Sequence, residues 1–128
     1  MIKYIILLSV LILISCQKKE ETKKIENLLY FKSRFIAELG SADYDRIISK
    51  TNSKVKAKYF EDVIYVTKFI EANGCGDYIG DIKIKKDSIY LVYKLVSDEV
   101  CMSTAINKIT YIIDNPTEKK YKFALKWE

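Results

Sequence analysis

From Ser53 onward the side chains of this sequence keep changing character at every second residue, and that alternation limits the fold more than any other feature. In "KVKAKYF" the lysines Lys54, Lys56 and Lys58 alternate with Val55, Ala57 and Tyr59. Successive side chains of a strand point to opposite faces, so this reads as a half-buried strand with a basic outer face. Val63 to Ala72 is rich in β-branched and aromatic residues, and Ile79 to Lys85 sets Ile82 and Ile84 against Lys83 and Lys85. Ile89, Leu91, Tyr93 and Leu95 share one face of the next run. Ile109, Tyr111 and Ile113 share one face of the run from Ile106 to Ile113. After "DNPTEKK", which holds the one proline, Tyr121, Phe123, Leu125 and Trp127 alternate with Lys122, Ala124 and Lys126. About six strands follow in series, and short connections between them imply antiparallel neighbours.

Ahead of the strands, "IENLLYFKSRFIAEL" places Ile25, Leu28, Leu29, Phe35, Ile36 and Leu39 at helical spacing, which predicts an amphipathic helix over 25–39. Thr22 is its N-cap and Gly40 its stop signal, while Phe31 falls off the apolar stripe. The segment "SADYDRIISKTNS" reads as a short helical turn followed by loop. The expected fold is therefore α+β: an N-terminal amphipathic helix followed by about six antiparallel strands in a meander. A small β-barrel is the alternative, because closure would remove the edge strands of an open sheet. With 128 residues, 49% hydrophobic and 30% charged, the chain has room for one such domain, residues 25–128, and a leader.

The leader is "MIKYIILLSVLILISCQKKEETKK". Lys3 is a positive start, Ile5 to Ile14 an apolar run, and Ser15-Cys16 a small residue and a cysteine at an abrupt change to polar sequence, the layout of a secretory signal. As a membrane helix it is too short, since its ~14 uncharged residues rise ~21 Å against a hydrocarbon core of ~30 Å. A core helix would need a polar face, which this stretch lacks. Leu13-Ile14-Ser15-Cys16 resembles the lipobox of bacterial lipoproteins. That resemblance implies a thioether-linked lipid on Cys16, cleavage after Ser15, a signal peptide of residues 1–15 and a polar tether of residues 16–24. Two or three acyl chains anchor stably where one does not. The tether after Cys16 holds eight residues, each reaching at most ~3.5 Å, so the domain would stay within ~30 Å of its bilayer.

No Asp follows Cys16, so the familiar inner-membrane retention signal is absent, which favours an outer membrane where the cell has one. Gln17-Lys18-Lys19-Glu20-Glu21 is similar to a short signal for surface display in some Gram-negative lipoproteins, although Lys19 stands where an acidic residue is commoner. The net charge of +5 is unevenly placed: Lys18 to Lys58 holds eleven Lys/Arg against six Asp/Glu, and Tyr59 to Glu128 ten against eleven. A basic excess beside a membrane favours anionic head groups, although a solvated Lys-rich linker would look the same.

With Cys16 as the lipid carrier, Cys75 and Cys101 remain as a pair in an exported chain, where disulfides persist. A hairpin around Lys86-Asp87-Ser88 that keeps Ile82 and Ile84 on the face of Leu91 and Tyr93 needs opposed residue numbers to sum to about 173 or 175. Position 75 then lies opposite 98 to 100, and the freedom of "SDEVCMSTA" would bring Cys101 into reach. The expectation is a Cys75–Cys101 disulfide, with two buried free thiols as the alternative.

Histidine is absent, which removes the commonest general base and metal ligand and with them any Ser-His-Asp or Cys-His site. "NGCGDYIGD" lacks the Lys-Ser/Thr of a phosphate-binding loop. Its Asn73, Asp77 and Asp81 do not have the spacing of a calcium loop and read as turn residues. Ser-Lys catalysis is formally open, but no spacing singles out a pair, and the ten tyrosines fit strand cores better than a nucleic-acid platform. The expectation is no catalytic site, no cofactor, no metal and no nucleic acid. The chain reads as a membrane-anchored, non-enzymatic binding or structural module whose partners are the bilayer, through Cys16, and an envelope protein. An inhibitor or immunity-type lipoprotein that blocks a hydrolase or toxin is the second reading.

Overall fold

The computed structural model describes residues 27–128. Seven strands, β1 (Leu28–Glu38), β2 (Lys56–Phe60), β3 (Val63–Asn73), β4 (Tyr78–Lys85), β5 (Ser88–Leu95), β6 (Thr104–Asp114) and β7 (Lys122–Trp127), form two sheets, with one short helix, α1 (Ala42–Ile47), between β1 and β2. The four-stranded sheet has the order β1-β6-β3-β2 and the three-stranded sheet the order β4-β5-β7. All pairings are antiparallel except β5 with β7, which is parallel.

In place of the helix expected over 25–39 the chain forms a strand over Leu28–Glu38, with turn residues at Asn27 and Leu39; Ile25 and the cap Thr22 lie outside the described residues. Two register irregularities interrupt the alternation of β1. One, between Leu28 and Tyr30, sets Leu28 opposite Ile113 and Phe31 opposite Tyr111, so two core-facing residues stand three apart. The other, between Phe35 and Ala37, moves Ala37 and Ile106 together onto the far face. A bulge adds one residue to a period of two, so β1 loses its alternation, and the exposed Leu29, Phe35 and Leu39 supplied the helical spacing while Phe31, off that stripe, packs on the core. In the segment 41–53, expected as a helical turn followed by loop, Ser41 caps α1, its side chain accepting from the backbone N–H of Tyr44 at 3.2 Å, and a 3₁₀ helix (Ile48–Asn52) stands where loop was expected.

The meander is also corrected. Only β2–β3 and β4–β5 are hairpins, each closed by two residues, Glu61-Asp62 and Lys86-Asp87. The connections β3–β4, β5–β6 and β6–β7 each pass from one sheet to the other. Two facing sheets can be joined by connections as short as those of neighbours within one sheet, so short loops did not establish pairing. Nor do the described strands close into a barrel; both sheets have open edges, β1 and β2 in one, β4 and β7 in the other.

The core lies between the sheets. Ile64, Val66 and Ile70 of β3 and Ile109, Tyr111 and Ile113 of β6 face Ile82, Ile89 and Leu91 of the smaller sheet. The Tyr111 hydroxyl crosses the gap and donates to the carbonyl of Val92 at 2.7 Å. Where β4 passes β1 the approach is close enough to require Gly80, since a Cβ there would stand 2.0 Å from Cδ2 of Phe31. A second, smaller cluster of Tyr44, Ala37 and Ile106 seats α1 on the far face of the larger sheet. On the core face of β3, in line with Val66 and Ile70, the buried Lys68 ammonium donates to the carbonyls of Thr51 and Ser53, and burial lowers its pKa.

Candidate functional site

At one end of the sandwich β3 stops at Asn73, β4 starts at Tyr78, β5 stops at Leu95 and β6 starts at Thr104. Two connections therefore leave the same end together, 74–77 and 96–103, and Cys75 lies in one and Cys101 in the other. The β4–β5 register pairs Tyr78 with Leu95 and Ile82 with Leu91, the expected sum of 173. Cys75 and Cys101 stand at disulfide distance, with their Cα atoms 5.6 Å apart.

The side chain of Asn73 braces both connections. Its Oδ1 accepts from the backbone N–H of Cys75 at 3.0 Å and of Cys101 at 3.2 Å, and its Nδ2 donates to the carbonyl of Cys101 at 2.5 Å. Gly74 N–H donates to the Ser103 carbonyl at 2.8 Å, and Val96 N–H to the Asp77 carbonyl at 2.9 Å. Gly76 lets Leu95 lie close, because a Cβ there would stand 2.5 Å from Cδ1 of Leu95 and displace that side chain. The loops are thus tied by backbone, side chain and sulfur.

Beside this brace is a cleft of about 540 Å³. One wall is aromatic, with Tyr93 and Trp127 rings 5.0 Å apart, Tyr78 and Trp127 6.1 Å apart, and Tyr78 and Tyr93 6.5 Å apart. The Tyr78 hydroxyl accepts from Asn73 N–H at 2.7 Å, joining this wall to the brace. The opposite wall comes from Glu71 to Asn73 and Met102 to Thr104. Burial, and next the neighbouring Tyr78, raise the pKa of the Tyr93 phenol, which therefore stays neutral. Trp127 is held from behind, since the backbone N–H of Glu128 donates to the Tyr93 carbonyl at 3.2 Å. The Glu128 carboxylate, bonded by Lys83 and Lys126, has its pKa lowered to about 2. Two apolar residues of the lining are open to water: Met102 is fully exposed and Trp127 53% exposed; Val96 and Val100, in the connection that carries Cys101, are exposed as well.

Such a wall can grip an apolar side chain. Cys101 in the lining is joined to Cys75, and Glu71, the carboxylate residue of the lining, alternates with the core residues Ile70 and Ala72 and so belongs to the outer face of its sheet. The Ser103 hydroxyl donates to Glu38. Lys68 meets Ser53 only at its carbonyl, and the Ser53 hydroxyl donates to the carbonyl of Lys50 instead. Asn73, Asp77 and Asp81 do not converge: Asn73 is used in the brace, and Asp81 accepts from the N–H of Ile82. Among the described residues no group of three or more acidic or cysteine side chains could hold a metal ion, and no helix is long and apolar enough to cross a membrane.

Of the residues singled out in the sequence, Cys75 and Cys101 are brought together, while Cys16, the signal 1–15 and the tether 16–24 lie outside the described residues. Sequence reasoning missed Asn73 as a brace and Tyr78, Tyr93 and Trp127 as one cluster. The alternation did place Tyr93 and Trp127 on inward faces, but the parallel β5–β7 pairing that puts them opposite each other could not be read from it. The chain matches no protein-family model, no curated protein and no solved structure.

Proposed function

We propose that this chain is an exported lipoprotein, anchored through Cys16 and facing the cell envelope, whose domain works without catalysis by holding another envelope protein at its disulfide end. The observation that carries this reading is the exposure of Met102 and Trp127 in the lining of a braced aromatic cleft. Exposed apolar surface of this kind marks interaction sites, and Trp, Tyr and Met are enriched where binding energy concentrates. A braced surface also loses little conformational entropy on binding. The partner that fits presents an apolar side chain to the Tyr78–Tyr93–Trp127 wall.

The leader supports the anchor, and the lack of Asp after Cys16 supports an outer membrane, with its external face as one option. A projecting, cross-linked loop also suits an inhibitor that blocks an incoming hydrolase or toxin. Stoichiometric capture of one exogenous enzyme would mark that second reading.

A photo-crosslinking residue at Met102 of the full-length protein, irradiated in intact envelopes, tests the proposal. One discrete adduct is expected from Met102, lost when Trp127→Ala is added, and none from the same probe at Lys85. Identical adducts from both positions, or none from Met102, would contradict it.

A further inference from the structure

The face of the larger sheet that points away from the core carries one sign of charge over its open part. Strand register puts Lys58, Tyr65, Ile112 and Tyr30 in one row across it, and Lys56, Thr67, Thr110 and Lys32 in the next. Phe69, Lys108 and Arg34 make a third row. Directly opposed residues of antiparallel strands share a face, so Lys32, Arg34, Lys56, Lys58 and Lys108 form one patch drawn from β1, β2 and β6. Carboxylates come further out on this face, with Glu71 beyond one end of the three rows, where α1 adds Asp43 and Asp45, and Asp114 beyond the other.

Among the described residues none of these five cations is in an ion pair. The outer side of the smaller sheet also carries lysines, of which Lys85, Lys94 and Lys122 are in no ion pair among the described residues, but part of its charge is neutralised. There Lys83 and Lys126 share the Glu128 carboxylate, and nearby Lys119 holds Asp87. A shallow groove of about 250 Å³ runs between the cations of the larger sheet, with Tyr30, Tyr65 and Ile112 in its lining.

We propose that this patch lies on the anionic head groups of the bilayer to which the chain is tethered. The inference rests on the lipid-anchor reading of Cys16. Lys32 and Arg34 stand on β1, the first element after the tether, and twelve residue steps from Cys16 to Leu28 span at most ~42 Å. The cations spread over three strands and three rows, in two dimensions, which matches a plane of head groups better than one extended polyanion. Tyrosines among cations suit the polar boundary of a bilayer, where amphipathic rings settle and lysine stems lie along apolar surface. Charge attracts the face to the membrane.

Amine labelling of the full-length lipidated protein in vesicles, read lysine by lysine by mass spectrometry, tests the proposal. Going from phosphatidylcholine alone to phosphatidylcholine with phosphatidylglycerol should lower labelling of Lys32, Lys56, Lys58 and Lys108 about threefold or more. High salt should restore it, and Lys83, Lys94 and Lys122 should stay unchanged. Equal labelling of the patch on both vesicle types would overturn the proposal. So would protection of the opposite face, or equal protection of the patch by soluble single-stranded DNA. The mass of the N-terminal peptide from the same sample reports the anchor separately. A lipid-free Cys16 with the footprint intact on added vesicles would remove the anchor and keep the face.

Discussion

Tyr111 shows how much one side chain holds in a small sandwich. It is fully buried, packs edge-on against Phe31 with ring centroids 4.9 Å apart, and supplies the hydroxyl that bonds across the sheets to Val92. Burial, with smaller effects from Tyr93 and Asp81, pushes its pKa well above that of an ordinary phenol. In the unfolded chain the same group ionises near ~10. The folded protein therefore keeps a proton that the unfolded chain gives up, and the stability linked to this group is complete below about pH 10 and declines as pH rises further. Tyr111→Phe should cost ~1 kcal/mol at neutral pH through the lost hydrogen bond. It should also make the alkaline decline shallower, measured as the difference in urea midpoint between about pH 8 and about pH 10.5. An equally steep decline in the variant would show that Tyr111 does not carry it.

Among the elements, the strands after Ser53 were legible because each keeps one face in the core and so writes a period of two into the sequence. The β4–β5 register followed from the same rule, and with it the meeting of Cys75 and Cys101. β1 was not legible, since its two bulges add residues that shift the phase at Leu28–Tyr30 and Phe35–Ala37. Sheet order was hidden for a different reason. β1 pairs with β6, and β5 with β7, across long separations that no local pattern encodes. The cleft inherits that blindness, because its aromatic wall gathers residues from β4, β5 and β7. The cross-link joins two connections that each change sheets, and it closes a separation of 26 residues. Chain entropy assigns such a link ~3.5 kcal/mol, a large part of what a small domain has. The double variant Cys75→Ser/Cys101→Ser should lose about that much in urea unfolding. A variant as stable as the original would mean that Asn73 and the backbone bonds hold the end by themselves.

Taken as a whole, the molecule has different surfaces for different tasks. One end carries a braced aromatic cleft, while the far face of the larger sheet carries five cations without an ion pair among the described residues. The proposed roles, a partner at the first and the bilayer at the second, both depend on the chain being held at a membrane. That dependence makes the modification of Cys16 the point on which the account turns. The mass of the mature protein extracted from membranes tests it most directly. The predicted result is a chain that begins at Cys16 and exceeds the bare polypeptide by a diacylglyceryl group, with one further acyl chain where the new amine is acylated; a chain that still begins at Met1, or an unmodified Cys16, would contradict it.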